Sequence, residues 1–212
     1  MSRGRFITLE GVDGAGKSSH VAWIGECIAA HGHTVVATRE PGGTPLGEAL
    51  RDIVLHQKMA AESEVLLMFA ARREHLDRVI RPALGRGDWV LCDRFTDATF
   101  AYQGGGHGVV PERIATLERW VHGDCQPDRT FLFDVPVTVA RARLTRSHAA
   151  GRGNDNFERQ DDAFFERVRA AYHQRVHDDA GRFRVIDSTQ PMEQVRAVLQ
   201  KHVDELDDAA GN

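Results

Sequence analysis

The chain has 212 residues, 42% of them hydrophobic, with 31 acidic against 27 basic side chains and a formal net charge of −4. That size and apolar fraction suffice for a sizeable core and exclude disorder as the main state, while the acidic balance argues against nucleic-acid or anionic-membrane partners. Among the basic residues 24 are Arg, and only Lys17, Lys58 and Lys201 are Lys, so guanidinium forks are plentiful and compact ammonium groups scarce.

Apolar runs at 5–10, 34–39, 89–93, 129–134 and 183–187 predict five strands. Between them the patterns predict helices at 16–31, 44–56, 60–84, 111–123, 136–147, 161–180 and 191–206. Pro111, Pro136 and Pro191 stand at first helical turns, and Gly32 and Gly123 where helices stop. Strands alternating with helices predict an α/β fold: a five-stranded parallel sheet with helices on both faces and ligands at the carboxyl ends of the strands. The segment 148–156 is small, polar and Gly-containing, and reads as a mobile loop. From Arg141 to Arg159 five arginines face two acids, a local net of +3. The longest apolar run, 65–71, is far short of the roughly 20 residues of a membrane helix. Glu10 interrupts the apolar stretch near the amino terminus, so no signal-peptide core is expected. Cys27, Cys92 and Cys125, odd in number and widely spaced, suit reduced thiols and a cytoplasmic protein.

After the first strand, Gly11-Val12-Asp13-Gly14-Ala15-Gly16-Lys17-Ser18 fits G-x-x-x-x-G-K-[ST] in strand-to-helix context, with Ser19 following. Glycines let backbone N–H groups turn inward around phosphate oxygens, and the following helix offers its positive end. Lys17 then bridges β- and γ-phosphates and Ser18 can ligate Mg²⁺, so a bound nucleoside triphosphate is expected. Of the three strands that end in Asp, those closing at Asp93 and Asp134 are the two weighed for the Mg²⁺ carboxylate. Asp93, followed by Arg94, is the better Mg²⁺ organiser, and Asp134 is expected to cap the next helix. No N-K-x-D tetrapeptide occurs, which argues against a GTPase.

Three further stretches suggest a second phosphate and base site: 39–44, 69–73, and 93–95 continuing through Thr99 to 102–106. Taken singly, Phe69 reads as core and Arg73 as a surface ion pair. With the phosphate loop, the "TREPGGT" element, "DR" with downstream "AYQGGG", and a lid ending Phe157-Glu158, the chain resembles bacterial thymidylate kinases over nearly its whole length. The resemblance implies a single P-loop kinase domain over 1–212 with a lid at about 148–159, a homodimer, and Mg²⁺-dependent transfer of the ATP γ-phosphoryl group to dTMP.

Residue by residue, the resemblance makes Asp13 the holder of the sugar 3′-hydroxyl and Arg39 and Arg94 the clamp on the dTMP phosphate. It makes Phe69 the ring stacked on thymine, Arg73, Thr99 and Gln103 the base contacts, Tyr102 the guard at the 2′ position, and Arg143 the residue against adenine. The position of Ala15 is basic in some members, and those with a small residue there carry an Arg in the lid, where this chain has Asn156. Arg152 is expected to supply that cation, with Arg146 and Arg159 as runners-up. The weighed alternatives are another nucleoside monophosphate or deoxynucleoside kinase, and a non-catalytic ATP-binding regulator.

Overall fold

A computed structural model describes residues 4–149 and 156–209. Within them β1 (Phe6–Glu10), β2 (Val35–Arg39), β3 (Trp89–Asp93), β4 (Arg129–Asp134) and β5 (Phe183–Asp187) form one all-parallel sheet in the order β2-β3-β1-β4-β5. All five strands lie within a residue of their expected bounds. The near-continuous apolar runs are those of strands buried on both faces. Alternation along them divides the core: Ile7, Leu9 and Leu91 pack with Ile24, Ile28 and Leu199, while Phe6, Val90 and Cys92 pack with Leu76, Ile80 and Ile114.

The helices are α1 (Ser18–Ala30), α2 (Pro45–His56), α3 (Ala61–His75), α4 (Arg81–Gly85), α5 (Thr96–Thr99), α6 (Pro111–His122), α7 (Val137–Ala149), α8 (Asp162–Asp178) and α9 (Met192–Asp208). Thr44 caps α2 by accepting from the Gly47 N–H at 3.0 Å, and Asp161 caps α8 by accepting from Phe164 at 2.7 Å. The helix expected at 60–84 is α3 and α4 joined by a π-helical turn at Leu76–Ile80, immediately before Pro82, which has no N–H to continue the ladder.

Helical structure at 96–106 was not expected. There α5 runs into a π-helical segment, Phe100–Gly106, whose glycines disguise it as a loop. They serve close approach: a Cβ on Gly105 would come within 2.6 Å of the Ala171 Cβ, and one on Gly106 within 2.5 Å of the Phe164 ring. Nor does Asp134 cap a helix. Its two oxygens accept from Arg169 Nε and Nη2 at 2.7 and 2.8 Å, which ties β4 to α8.

His122, fully buried at the end of α6, lies 2.6 Å from Thr96 Oγ1 and 4.7 Å from the Phe95 ring centroid. Burial, then the positive charge of Arg72, pushes its pKa down to about 3. A native state that refuses a proton the unfolded chain accepts has its full stability above the ordinary value of 6.5 and loses it as pH falls toward 3. The expected cost of this one group is about 1.4 kcal/mol per pH unit. Urea melts between pH 7 and 4 should show a steeper loss in the wild type than in His122→Gln; equal slopes would contradict this.

Candidate active site

The phosphate loop leaves β1 at the centre of the sheet, so the carboxyl ends of β1, β3 and β4 converge on it. Gly14 has φ +82°, and a Cβ there would meet the Ala140 carbonyl oxygen at 2.3 Å, so the loop is pressed against α7. Lys17 is buried, and its Nζ donates to the carbonyl oxygens of Gly11 (2.8 Å) and Val12 (3.1 Å). Burial, then repulsion from Arg94, lowers its pKa to about 8 against the opposing pull of Asp93, Asp13 and Glu10. Ser18 Oγ lies 3.4 Å from Asp93 Oδ2, while Asp93 Oδ1 is buried with no hydrogen-bond partner. A hydroxyl and a carboxylate with an unused buried oxygen are hard donors of the kind Mg²⁺ takes.

Arg94 directly follows Asp93 and has φ 71°, the one positive φ outside glycine among the described residues. That conformation costs roughly 1–3 kcal/mol and persists only where the surroundings over-determine it. Nη1 donates to the Gly11 carbonyl (3.0 Å) and the Tyr172 hydroxyl (3.1 Å), and Nη2 to Asp13 Oδ1 (2.5 Å) and the Tyr102 hydroxyl (3.1 Å). The Tyr102 hydroxyl donates in turn to Asp13 Oδ2 at 2.8 Å. Burial pushes the Asp13 carboxyl up, but Arg94 and Lys17 outweigh it and hold the pKa below its ordinary value.

A cavity of about 440 Å³ extends from this loop, lined by Asp13, Gly14, Gly16, Lys17, Ser18 and Ser19 at one end and by Met68, Arg72, Thr99 and Gln103 at the other. Arg72 is 2% exposed and held on three sides. Its Nε donates to Glu40 Oε2 (2.7 Å), its Nη2 to Thr99 Oγ1 (3.1 Å), and its guanidinium lies 4.8 Å from the Phe69 ring centroid. Its Nη1 is buried and unpartnered. So is Gln103 Oε1, while the Gln103 amide N donates to Glu64 Oε1 at 2.6 Å.

The structure brings together Lys17, Ser18, Asp13, Asp93, Arg94, Arg39, Arg143, Thr99, Tyr102 and Gln103 around this cavity. Arg39 reaches it paired with Glu48 at 2.9 Å. Arg143 donates to the Ser188 carbonyl at 2.8 Å, beside the Ser188 hydroxyl that donates to the Ala15 carbonyl at 2.6 Å. Phe69 and Arg73 are not brought there. Phe69 is buried under Arg72, and Arg73 pairs with Asp77 at 2.7 Å on a separate surface groove. One residue along a helix is a rotation of about 100°, and the pair facing the cavity is Met68 and Arg72, with the same i, i+4 spacing. Arg51 and Leu55 of α2, also i and i+4, line the cavity and were missed; their shared helix face was the available signal. Arg152 lies outside the described residues. Asn156 donates its side-chain amide to the Gln57 carbonyl at 3.2 Å.

A phosphate loop after the central strand, a buried lysine, a Ser–Asp oxygen pair and an arginine-lined acceptor cavity define a P-loop phosphotransferase. Residues 9–198 match the family described as thymidylate kinase. The chain is 63% identical over 204 residues to a thymidylate kinase of Bordetella pertussis, covering 96% of each, and 58% identical over 199 residues to one of Cupriavidus metallidurans, covering 94% of this chain and 97% of the relative. The crystal structure of thymidylate kinase from Ehrlichia chaffeensis superposes with a TM-score of 0.71 at 32% identity, covering 96% of this chain and 98% of that one. The chain belongs to the thymidylate kinase family, which uses ATP and Mg²⁺ to phosphorylate dTMP to dTDP.

Proposed function

We propose that this cavity is where dTMP meets ATP, and the observation that carries the reading is the pair of orphaned buried atoms at its far end. Arg72 Nη1 offers a donor and Gln103 Oε1 an acceptor, the complement of the thymine O4 and N3–H; unmet, such groups discriminate strongly between ligands. Met68 and Phe95 flank the base from the cavity wall. Asp13 takes the sugar hydroxyl and Tyr102 closes the 2′ side. Arg94, Arg39 and Arg51 hold the acceptor phosphate, while Lys17 turns from the loop carbonyls to the donor phosphates. Arg143 and the turn at Ser188 bound the adenine side.

Two anions approach each other in this reaction, so the chain's main task is positioning and charge. The acceptor oxygen is already ionised near neutral pH, and no strong general base is needed. Ser18 and Asp93 would hold Mg²⁺, which when bound neutralises charge on the donor phosphates. A coupled ADP-release assay across dTMP, dUMP, UMP, AMP and thymidine is expected to give the highest kcat/KM with dTMP. Arg72→Ala should lower that value by about a hundredfold or more, whereas Arg73→Ala should leave it within about twofold. Preference for thymidine, or the reverse order of the two variants, would overturn the reading.

The lid, at about 148–159 of one kinase domain, is proposed to bring Arg152 to the transferring phosphoryl group. Asn156 cannot stand in for such a cation, which is worth roughly 10³–10⁵ in rate. Arg152→Ala should lower kcat far more than the KM for dTMP, and wild-type turnover would dismiss the idea.

The groove between α3 and α6 is proposed to seat a second copy of the chain, forming the homodimer implied by the family resemblance. Leu66, Phe69 and Ala70 face Leu117, Trp120 and Val121 there, and Leu66 and Trp120 are 57% and 78% exposed. In a two-fold interface a single charge is placed twice, so Trp120→Glu should convert a sedimenting dimer to monomer at micromolar concentration. A monomeric wild type would refute the assignment. Among the described residues no helix is long and apolar enough to cross a membrane, and Cys27, Cys92 and Cys125 are free and buried, which supports the cytoplasmic reading.

A further inference from the structure

The buried carboxylate of Glu10 and the hydroxyl of Tyr172 lie outside the cavity lining, yet both converge on Arg94. Glu10 ends β1 with no exposed surface. Its Oε1 accepts from the Phe95 N–H at 2.7 Å, immediately after Arg94 in the chain. Its Oε2 accepts from the Tyr172 hydroxyl at 2.8 Å, and that same hydroxyl accepts from Arg94 Nη1 at 3.1 Å. One carboxylate therefore grips both the backbone beside Arg94 and, through Tyr172 of α8, the end of its side chain.

The guanidinium is held asymmetrically. Nη1 is bound by Gly11 and Tyr172, which do not line the cavity, so an incoming substrate leaves those contacts in place. Nη2 is bound by Asp13 and Tyr102, which do line it and which the sugar re-engages. No hydrogen bond from Nε is formed among the described residues. The edge made by Nε and Nη2 is thus the one that meets two phosphate oxygens in a fork once the sugar draws Asp13 and Tyr102 away from Nη2, the geometry at which Arg excels.

We infer that Tyr172, braced by Glu10, is a positioning residue for the acceptor phosphate: it pins the Nη1 end of Arg94 so that the Nε–Nη2 edge faces the substrate. This rests on the reading of Arg94 as the phosphate clamp. Tyr172→Phe keeps the ring and its place in the core and removes only the bridging oxygen.

A double-mutant cycle tests it, with kcat and the KM values for dTMP and ATP measured separately and melting temperatures as the control. Tyr172→Phe in the wild type should lower kcat/KM for dTMP by about tenfold and leave the KM for ATP within about twofold. In an Arg94→Met background the same substitution should change kcat/KM by less than about twofold, because its one route of action is gone. Glu10→Gln, which weakens the brace, should follow Tyr172→Phe through the same cycle, and it replaces that variant if Tyr172→Phe fails to fold. Equal losses in both backgrounds, or no loss in the wild type, would overturn the positioning role. Arg94→Met with wild-type kcat/KM for dTMP would instead remove the clamp reading itself.

Discussion

The site depends on one left-handed residue. Arg94 leaves β3 at φ 71°, and the turn this makes swings its side chain across the mouth of β1 into the phosphate loop. An ordinary extended residue would continue the strand. Strain of that kind survives only where many contacts require it, and here the Leu9 carbonyl accepts from the Arg94 N–H at 2.9 Å while the guanidinium makes four hydrogen bonds. The strand end, the phosphate loop, the π-helical segment and α8 thus meet at a single fork.

Around that fork the charges are arranged for a ligand that brings its own. Lys17 and Arg94 repel each other, and Asp13, Asp93 and, in its ionised form, Glu10 offset them. Glu10 is the outlier among these acids: burial and then the negative charge of Asp97 push its pKa up to about 8. Asp97 is in turn held below its ordinary value, against burial, by Arg182 and Arg175. Anionic phosphates entering this site would give Lys17 and the Arg94 fork stronger partners than loop carbonyls and a shared carboxylate.

The fold was legible because its signals are local. Buried parallel strands announce themselves as continuous apolar runs, and the phosphate loop as a spacing that few other structures need. Where the reading slipped, the missing information was rotational or tertiary. Phe69 with Arg73 and Met68 with Arg72 have the same spacing on α3, and what separates them is which stripe the sheet and α6 cover. The helix at 96–106 was not legible because Gly105 and Gly106 serve to admit α8, which lies more than fifty residues away in sequence. Glu10 looked like an interruption of an apolar strand, and no motif singled out Tyr172; only their meeting with Arg94 gives them a task.

The arginine-rich composition takes on physical meaning at this point. Among the described residues five arginines line the cavity, and each is anchored to a protein oxygen: Arg39 to Glu48, Arg51 to the Pro41 carbonyl, Arg72 to Glu40, Arg94 to the Gly11 carbonyl and Arg143 to the Ser188 carbonyl. A planar fork can spend one edge on the protein and present the other to a ligand, which reduces the ordering left to be done on binding. An ammonium group has no second edge, so a lysine anchored this way would have its charge centre at the anchor. That is how Lys17 sits, with Nζ on two loop carbonyls. Asn156, whose side-chain amide donates to the Gln57 carbonyl, has no charge to offer a transferring phosphoryl group.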